Sequence, residues 1–482
     1  MVLFKKDLAT LIAPLLFSMT LISSQQVQFT DASAACVGYQ SGVNTITINC
    51  DASFLDVVQA INDPEILEQE EEQEGHYILN ANLEVADGVT FEMTSSRDGL
   101  QYLKLAGENG IIVYGKILID GVTITSWDIS EEDVIPQDMN GTIRRGYVQF
   151  AESEGSQIIN SEFGYLGDIE PGRRGFDLFG EGPTHDMEIR GSTFHDMWFA
   201  FYSNSAYNIT VDGNEYYNNI RYALDPHTTT HDMTITNNWL HDNPIGVICS
   251  DRCSDILIEG NLIEDTTNAG IFFSRNMTDS IARNNHIINA RNGILVSESP
   301  NNQIYNNIIE GATSNGIRFF NPDVPDDGVT EGNIAYNNVI SNSENGITSA
   351  RSQNNIVENN TLSDIESSEY LLEGNSGITI RGQQFDDTSI SGEGIDPDEG
   401  VIDDDTDADA DEADDDQATE NVVEVVGSGT IEVTEGATDG EEDEDDGDAD
   451  DDDGDEVNSY NTDIEPYSTI LGDGDTITVN SS

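Results

Sequence analysis

Positive charge is scarce in this chain. Its 482 residues carry 18 Lys and Arg against 93 Asp and Glu, for a formal net charge of −75. Only four of the cations are lysines. Phosphate recognition needs clustered cations, so nucleic-acid binding is excluded as a default function, and docking on anionic lipid is disfavoured for the same reason. Long apolar runs are also missing, apart from Leu8 to Leu21 near the start. That run is short for a membrane span and is broken by Pro14. Amphipathic helical spacing is absent from the middle of the chain, which excludes leucine-rich and helical repeats.

The acidic excess is uneven. From Phe385 to Ser482 there are 38 acidic residues and no basic one, and residues 1–384 still carry a net −37. An acidic, lysine-poor surface suits a saline medium. Lys5 and Lys6, the apolar run and the small residues Ala32-Ser33-Ala34 make residues 1–35 a secretory signal. The mature protein is therefore expected to be secreted or held at the cell surface, without a membrane span. Four cysteines in an exported chain predict two local disulfides, Cys36 with Cys50 and Cys249 with Cys253. Zinc is the competing reading for the second pair, but no further Cys or His pair at finger spacing accompanies it.

What the chain has in abundance is repetition. Asparagines recur at 214, 238, 261, 285, 307, 338 and 360, with gaps of 22 to 24 residues and one of 31. Glycines before β-type triplets follow the same period at 246, 270, 293, 316, 346 and 377. Short strands joined by Asn and Gly corners at this period describe a solenoid. The fold expected is all-β, a right-handed parallel β-helix over residues 76–384, with each repeat asparagine serving an inward amide ladder. Residues 36–75 are expected to cap it with a hairpin and a helix over Ser53 to Glu68. The stretch Asn321 to Gly328 reads as a loop inserted into one coil. Residues 385–482 form an acidic low-complexity tail, expected to be disordered, with two β-rich islands (NVVEVVGSGTIEV and DTITVNSS) that pair or stay extended.

One coil departs from the pattern. Tyr222-Ala223-Leu224-Asp225-Pro226-His227 places a proline in a strand register, which throws Asp225 and His227 outward at a corner. Read alone, a His-Asp cluster of this kind is a surface loop. Its context is more specific. Asp196-Met197-Trp198 with Phe201-Tyr202 precedes it by one coil, and Gly270-Ile271-Phe272-Phe273-Ser274-Arg275 follows. From Tyr147 to Asn360 the chain resembles the mannuronan C-5-epimerases of the periplasmic, calcium-independent type and their archaeal relatives. Ala223 stands where that family usually has glycine, and Thr228 where it often has an acid.

The resemblance implies a polyuronate-modifying enzyme with no cofactor. His227 would take the proton beside the carboxylate, Tyr222 or a water would return one from the other face, and Asp225 would tune the pair. An arginine must neutralise the uronate carboxylate. Arg275 matches the motif but lies about two coils past His227, roughly 10 Å along the axis. Arg252 has one-coil spacing but stands one residue off register. Arg173 and Arg174 are candidates to hold neighbouring uronates, with a solvated turn that pairs local acids as the plainer reading. His231 reads as groove-lining or as the orienter of His227, and Trp198 and Tyr202 as sugar-stacking or packing aromatics. No metal set is evident. The expected partner is an anionic polysaccharide bound by a monomer. Two other functions fit the same residues: a polyuronate lyase, and a non-catalytic β-helix used for adhesion.

Overall fold

A computed structural model describes residues 36–322, 328–374, 376–392, 422–435 and 476–480. The signal expected over residues 1–35 and the acidic runs between the tail islands lie outside the described residues.

Each coil is built from three short strands, and each strand pairs in parallel with its counterpart one coil away. In one coil these are Tyr222–His227, His231–Thr236 and Trp239–His241. Stacking generates three faces, the third of which is a sheet of 13 strands. Inward Ile, Val, Leu and Phe fill the bore and form one continuous core. The architecture is the expected parallel β-helix. Its cause is visible in the burial pattern, which alternates along the second-face strands and is continuous along first-face strands such as Ile245–Ser250.

The asparagine ladder forms as the period predicted. Asn214 Nδ2 donates to Asn238 Oδ1 at 3.0 Å, Asn238 to Asn261 at 2.9 Å and Asn261 to Asn285 at 2.9 Å, and the row continues through Asn307 and Asn338 to Asn360. These residues are buried, so the ladder satisfies amides that would otherwise be stranded in the bore. The glycine series has a steric cause. A Cβ on Gly246 would sit 2.6 Å from the Gly270 carbonyl oxygen and 2.8 Å from Ile263. The long coil also keeps its ladder bond, Asn307 to Asn338 at 3.0 Å. Residues 323–327 of the expected loop lie outside the described residues; across them, Asn321 Oδ1 accepts the Thr330 N–H at 2.7 Å.

At the N-terminal end, strands Val37–Gln40 and Thr45–Ile48 form an antiparallel hairpin linked by the Cys36–Cys50 disulfide. The helix that follows spans Phe54–Ile61 and starts in a Ser53/Asp56 capping box. It stops before the expected Glu68, because Asn62 turns left-handed and Pro64 cannot continue the helix. Phe54 and Val57 bury into the first coils. At the other end, strand Gly377–Gly392 pairs with Val422–Glu435, which pairs with Thr476–Asn480, so both tail islands join the solenoid sheet. Among the described residues no helix is long and apolar enough to cross a membrane.

Candidate active site

Proline 226 does not break strand Tyr222–His227 out of the stack. Tyr202, Ser203 and Asn204 of the preceding coil stand opposite Asp225, Pro226 and His227, and Ser250 of the next coil stands opposite His227. Tyr202 in turn stands opposite Asp177. Asp177, Tyr202 and Asp225 therefore form one row across three coils, and all three are buried.

Arg174 enters this row from the corner before Gly175–Leu178. Its guanidinium lies 4.2 Å from the centroid of the Tyr202 ring, and its backbone N–H donates to Asp177 Oδ2 at 3.1 Å. Burial pushes the Asp177 carboxyl up to about 6, against the pull of Arg174. Burial raises Asp225 well above the usual carboxylate range, opposed by Arg174 and Arg275 and reinforced by Asp177. Among the described residues Asp177 Oδ1, Asp225 Oδ1 and Arg174 Nη1 are buried without a hydrogen-bond partner. Such groups are costly to leave unpaired, and their gathering in one row marks a place where a polar ligand would be welcome.

His227 closes the strand. Burial first, then Arg275, Arg174 and Arg252, hold its imidazole down to about 3, so the ring is neutral over the ordinary pH range. Nδ1 lies 2.6 Å from Thr228 Oγ1, and the Tyr202 ring packs at 5.3 Å. Thr228, one of the two departures from the pattern of the family the chain resembles, is thus the hydrogen-bond partner of the histidine. At the other end of the strand, burial and then Asp225 push the Tyr222 hydroxyl up to about 12. It stays a phenol and keeps a proton to give.

The two candidate neutralising arginines occupy stacked corners. The Arg252 N–H donates to the Arg275 carbonyl at 2.7 Å, so the residues are neighbours across one coil step. Both are left-handed, with φ of 60° and 46°. Outside glycine this conformation costs roughly 1 kcal/mol per residue. The Arg252 side chain is half exposed and holds Asp251 at 2.7 Å.

The adjacent arginines 173 and 174 part company. Arg173 pairs with Glu108 at 3.1 Å and Asp168 at 3.5 Å and lies over Tyr147, so it follows the plainer reading of a turn residue. Only Arg174 joins the row. His231 is on the second face, bonded to Asp232 at 2.8 Å and stacked on Tyr207, and does not orient His227. Trp198 is 2% exposed, with Arg221 over one side and Gly141 against it. It is a packed wall and offers no face to a sugar. Tyr202 is likewise buried, as packing under His227. Residues 128–146, which the repeat pattern did not single out, form an insertion that brings Gly141 there. Its Arg145, 1% exposed, donates to the carbonyls of Gly167 at 2.7 Å and Asp196 at 3.0 Å.

The coiled fold has counterparts in known proteins. The model of the "right handed beta helix region" matches residues 109–281, 180–324 and 282–406, more than half of the chain. The chain belongs to this right-handed β-helix family. Among curated proteins, the mannuronan C5-epimerase of Pseudomonas putida is 26% identical over 238 residues, 46% of this chain and 45% of that protein. The mannuronan C5-epimerase of Pseudomonas syringae pv. tomato is 26% identical over 247 residues, 48% and 45% of the two chains. The β-helix chain thus spans about half the length of the curated relatives it matches. A crystal structure of the periplasmic alginate epimerase AlgG superposes with a TM-score of 0.52 at 18% identity, covering 82% of this chain and 85% of that one. A point mutant of the same enzyme gives 0.56 at 20% identity, over 70% and 85%. These structural likenesses establish the shared fold.

Proposed function

We propose that this protein is an exported carbohydrate epimerase that inverts C-5 of mannuronate residues in a polysaccharide, giving guluronate. The observation that carries the reading is the buried row of Asp177, Tyr202 and Asp225 with Arg174 over the Tyr202 ring, ending at His227, whose imidazole is kept neutral by burial and by the fields of Arg275, Arg174 and Arg252. On a body of net charge −75, three such cations call for an anionic ligand. The similarity to mannuronan C5-epimerases supports the substrate class.

In this reading Arg275, aided by Arg252, binds the carboxylate of the reacting residue and stabilises the charge that moves onto it. His227 takes the C-5 proton; the C–H bond pair moves into the carboxylate, and the Tyr222 hydroxyl delivers a proton to the opposite face. Substrate binding also tunes the base. Burial is the larger cause of the depressed His227 and stays in place, but a carboxylate on the arginines offsets their share, so the imidazole grows more basic when there is a proton to remove. Asp177 holds the Arg174 backbone through its N–H, and the Arg174 guanidinium would meet the carboxylate of a neighbouring sugar.

The test is incubation with polymannuronate in deuterated water. Deuterium at C-5 without chain shortening is expected. Unsaturated ends absorbing in the ultraviolet would identify a lyase, and no exchange at all would leave a binding protein.

A further inference from the structure

The corner that carries Arg252 is joined by the second disulfide, between Cys249 on strand Ile245–Ser250 and Cys253 at the entry to strand Ser254–Glu259. Both sulfurs are buried in the bore. Other corners of the same stack are closed by hydroxyls. Ser153 and Ser156 Oγ lie 2.7 Å apart, Thr230 Oγ1 donates to the His227 carbonyl at 2.7 Å, and Ser349 and Ser352 Oγ lie 2.9 Å apart. Ser349 occupies the same register row as Cys249, four coils on. Among the described residues only the Asp251–Arg252 corner of this stack has a covalent joint.

That corner is also the middle one of three in which two consecutive non-glycine residues are left-handed. Thr228 and Thr229 have φ of 29° and 57°, Asp251 and Arg252 of 72° and 60°, and Arg275 and Asn276 of 46° and 63°. Backbone bonds tie them in series. The Thr228 N–H donates to Ser250 O at 3.0 Å and the Thr229 N–H to Asp251 O at 2.9 Å, while Arg252 donates to Arg275 O. The Cys253 sulfur lies 3.4 Å from the carbonyl oxygen of Pro226, in the peptide that leads into His227. Thr228 beside His227, Arg252 and Arg275 therefore each stand on one of three left-handed corners that the middle one connects.

We infer that the Cys249–Cys253 disulfide is a positioning device, which holds the Asp251–Arg252 corner and through it sets His227 and Arg275 against one another. This inference rests on the proposed epimerase reading for its catalytic consequence, but its structural content does not depend on it. A hydroxyl pair suffices at Ser349 and Ser352, where Arg351 is the single left-handed residue and no proton is to be moved. The covalent joint is placed where the tolerance is tightest, since misplacing catalytic groups by about an ångström costs up to about 100-fold in rate.

The experiment replaces the pair by C249S/C253S, which recreates the closure found at Ser349 and Ser352, with C36S/C50S as the control. Amide hydrogen exchange at Thr228 and Thr229 is expected to accelerate in C249S/C253S, while the amides of Asn238 and Asn261 in the ladder keep their protection. Turnover is expected to fall about 10- to 100-fold with a smaller change in KM, and the control is expected to leave both alone. Should C249S/C253S fail to fold, the same exchange is read on oxidised wild-type protein reduced with TCEP in sub-denaturing urea, with iodoacetamide labelling to show that the bond has opened. Unchanged exchange at Thr228 and Thr229 after the bond is lost overturns the inference. Wild-type protein inert on every polyuronate would overturn the proposed function instead, and the exchange result would still decide the role of the disulfide.

Discussion

His195 offers a quantitative test of how the corner before Tyr202 is held. Its Nδ1 lies 2.8 Å from Asp196 and its Nε2 3.1 Å from Glu162, with the Tyr217 ring stacked at 5.0 Å. Burial alone would depress this imidazole. The hydrogen bonds of Asp196 and Glu162 outweigh that and push it up to about 9. A folded value above the unfolded value of about 6.5 means that the stabilisation is fully present below pH 6.5 and disappears as pH rises through 9. A shift of this size corresponds to about 3 kcal/mol, counted once for the His195–Glu162–Asp196 cluster. Urea unfolding followed by Trp198 fluorescence at pH 6.5 and 9.5 should therefore show wild type losing about 3 kcal/mol more than His195→Gln between the two pH values. Equal losses, or an NMR titration of the His195 ring centred near 6.5, would refute the reasoning.

The remaining predictions concern the site and the ladder. His227→Gln should abolish proton exchange while retaining polyuronate binding, measured by calorimetry. Because bound carboxylate raises the basicity of His227, the acid limb of kcat should lie at higher pH than that of kcat/KM. Arg275→Lys should lower kcat about 100-fold, since an ammonium cannot grip a carboxylate bidentately; Arg174→Gln should mainly raise KM, and Arg173→Gln should do little in either assay. Asn261→Leu should cost about 2–4 kcal/mol in chemical denaturation, because it strands the Asn238 N–H and Nδ2 that donate to its side chain.

Much of the fold was readable because a solenoid writes its period into the chain. Buried amides must find partners at every coil, so Asn238 and Asn261 reappear at the same offset, and glycine returns wherever a Cβ would strike the next coil. The site was readable only in part. Asp225 and His227 announced themselves through Pro226, but a one-dimensional pattern does not show which way a corner residue points. Arg173 and Arg174 are adjacent, yet one turns to Glu108 and the other to Tyr202. His231 shares a coil with His227 but belongs to another face. Asp177 carries no motif and joins the site solely through the register that sets it beside Tyr202 two coils before His227. Thr228 had been visible only as a departure from a pattern, and its hydroxyl gives that departure a purpose.

The unbroken asparagine row has one more consequence. Asn307 reaches Asn338 across 31 residues as readily as Asn285 reaches Asn307 across 22, so the ladder keeps its step whatever length of chain separates two rungs. The face that carries Asp177, Tyr202 and Asp225 can then lengthen or shorten only by whole coils, in steps of about 4.8 Å. The molecule is in effect a ruler with fixed graduations. Evolution, or an engineer, can add or remove a mark but cannot slide one, and removing a coil such as 238–260 would bring Asn214 directly onto Asn261 with every other graduation kept.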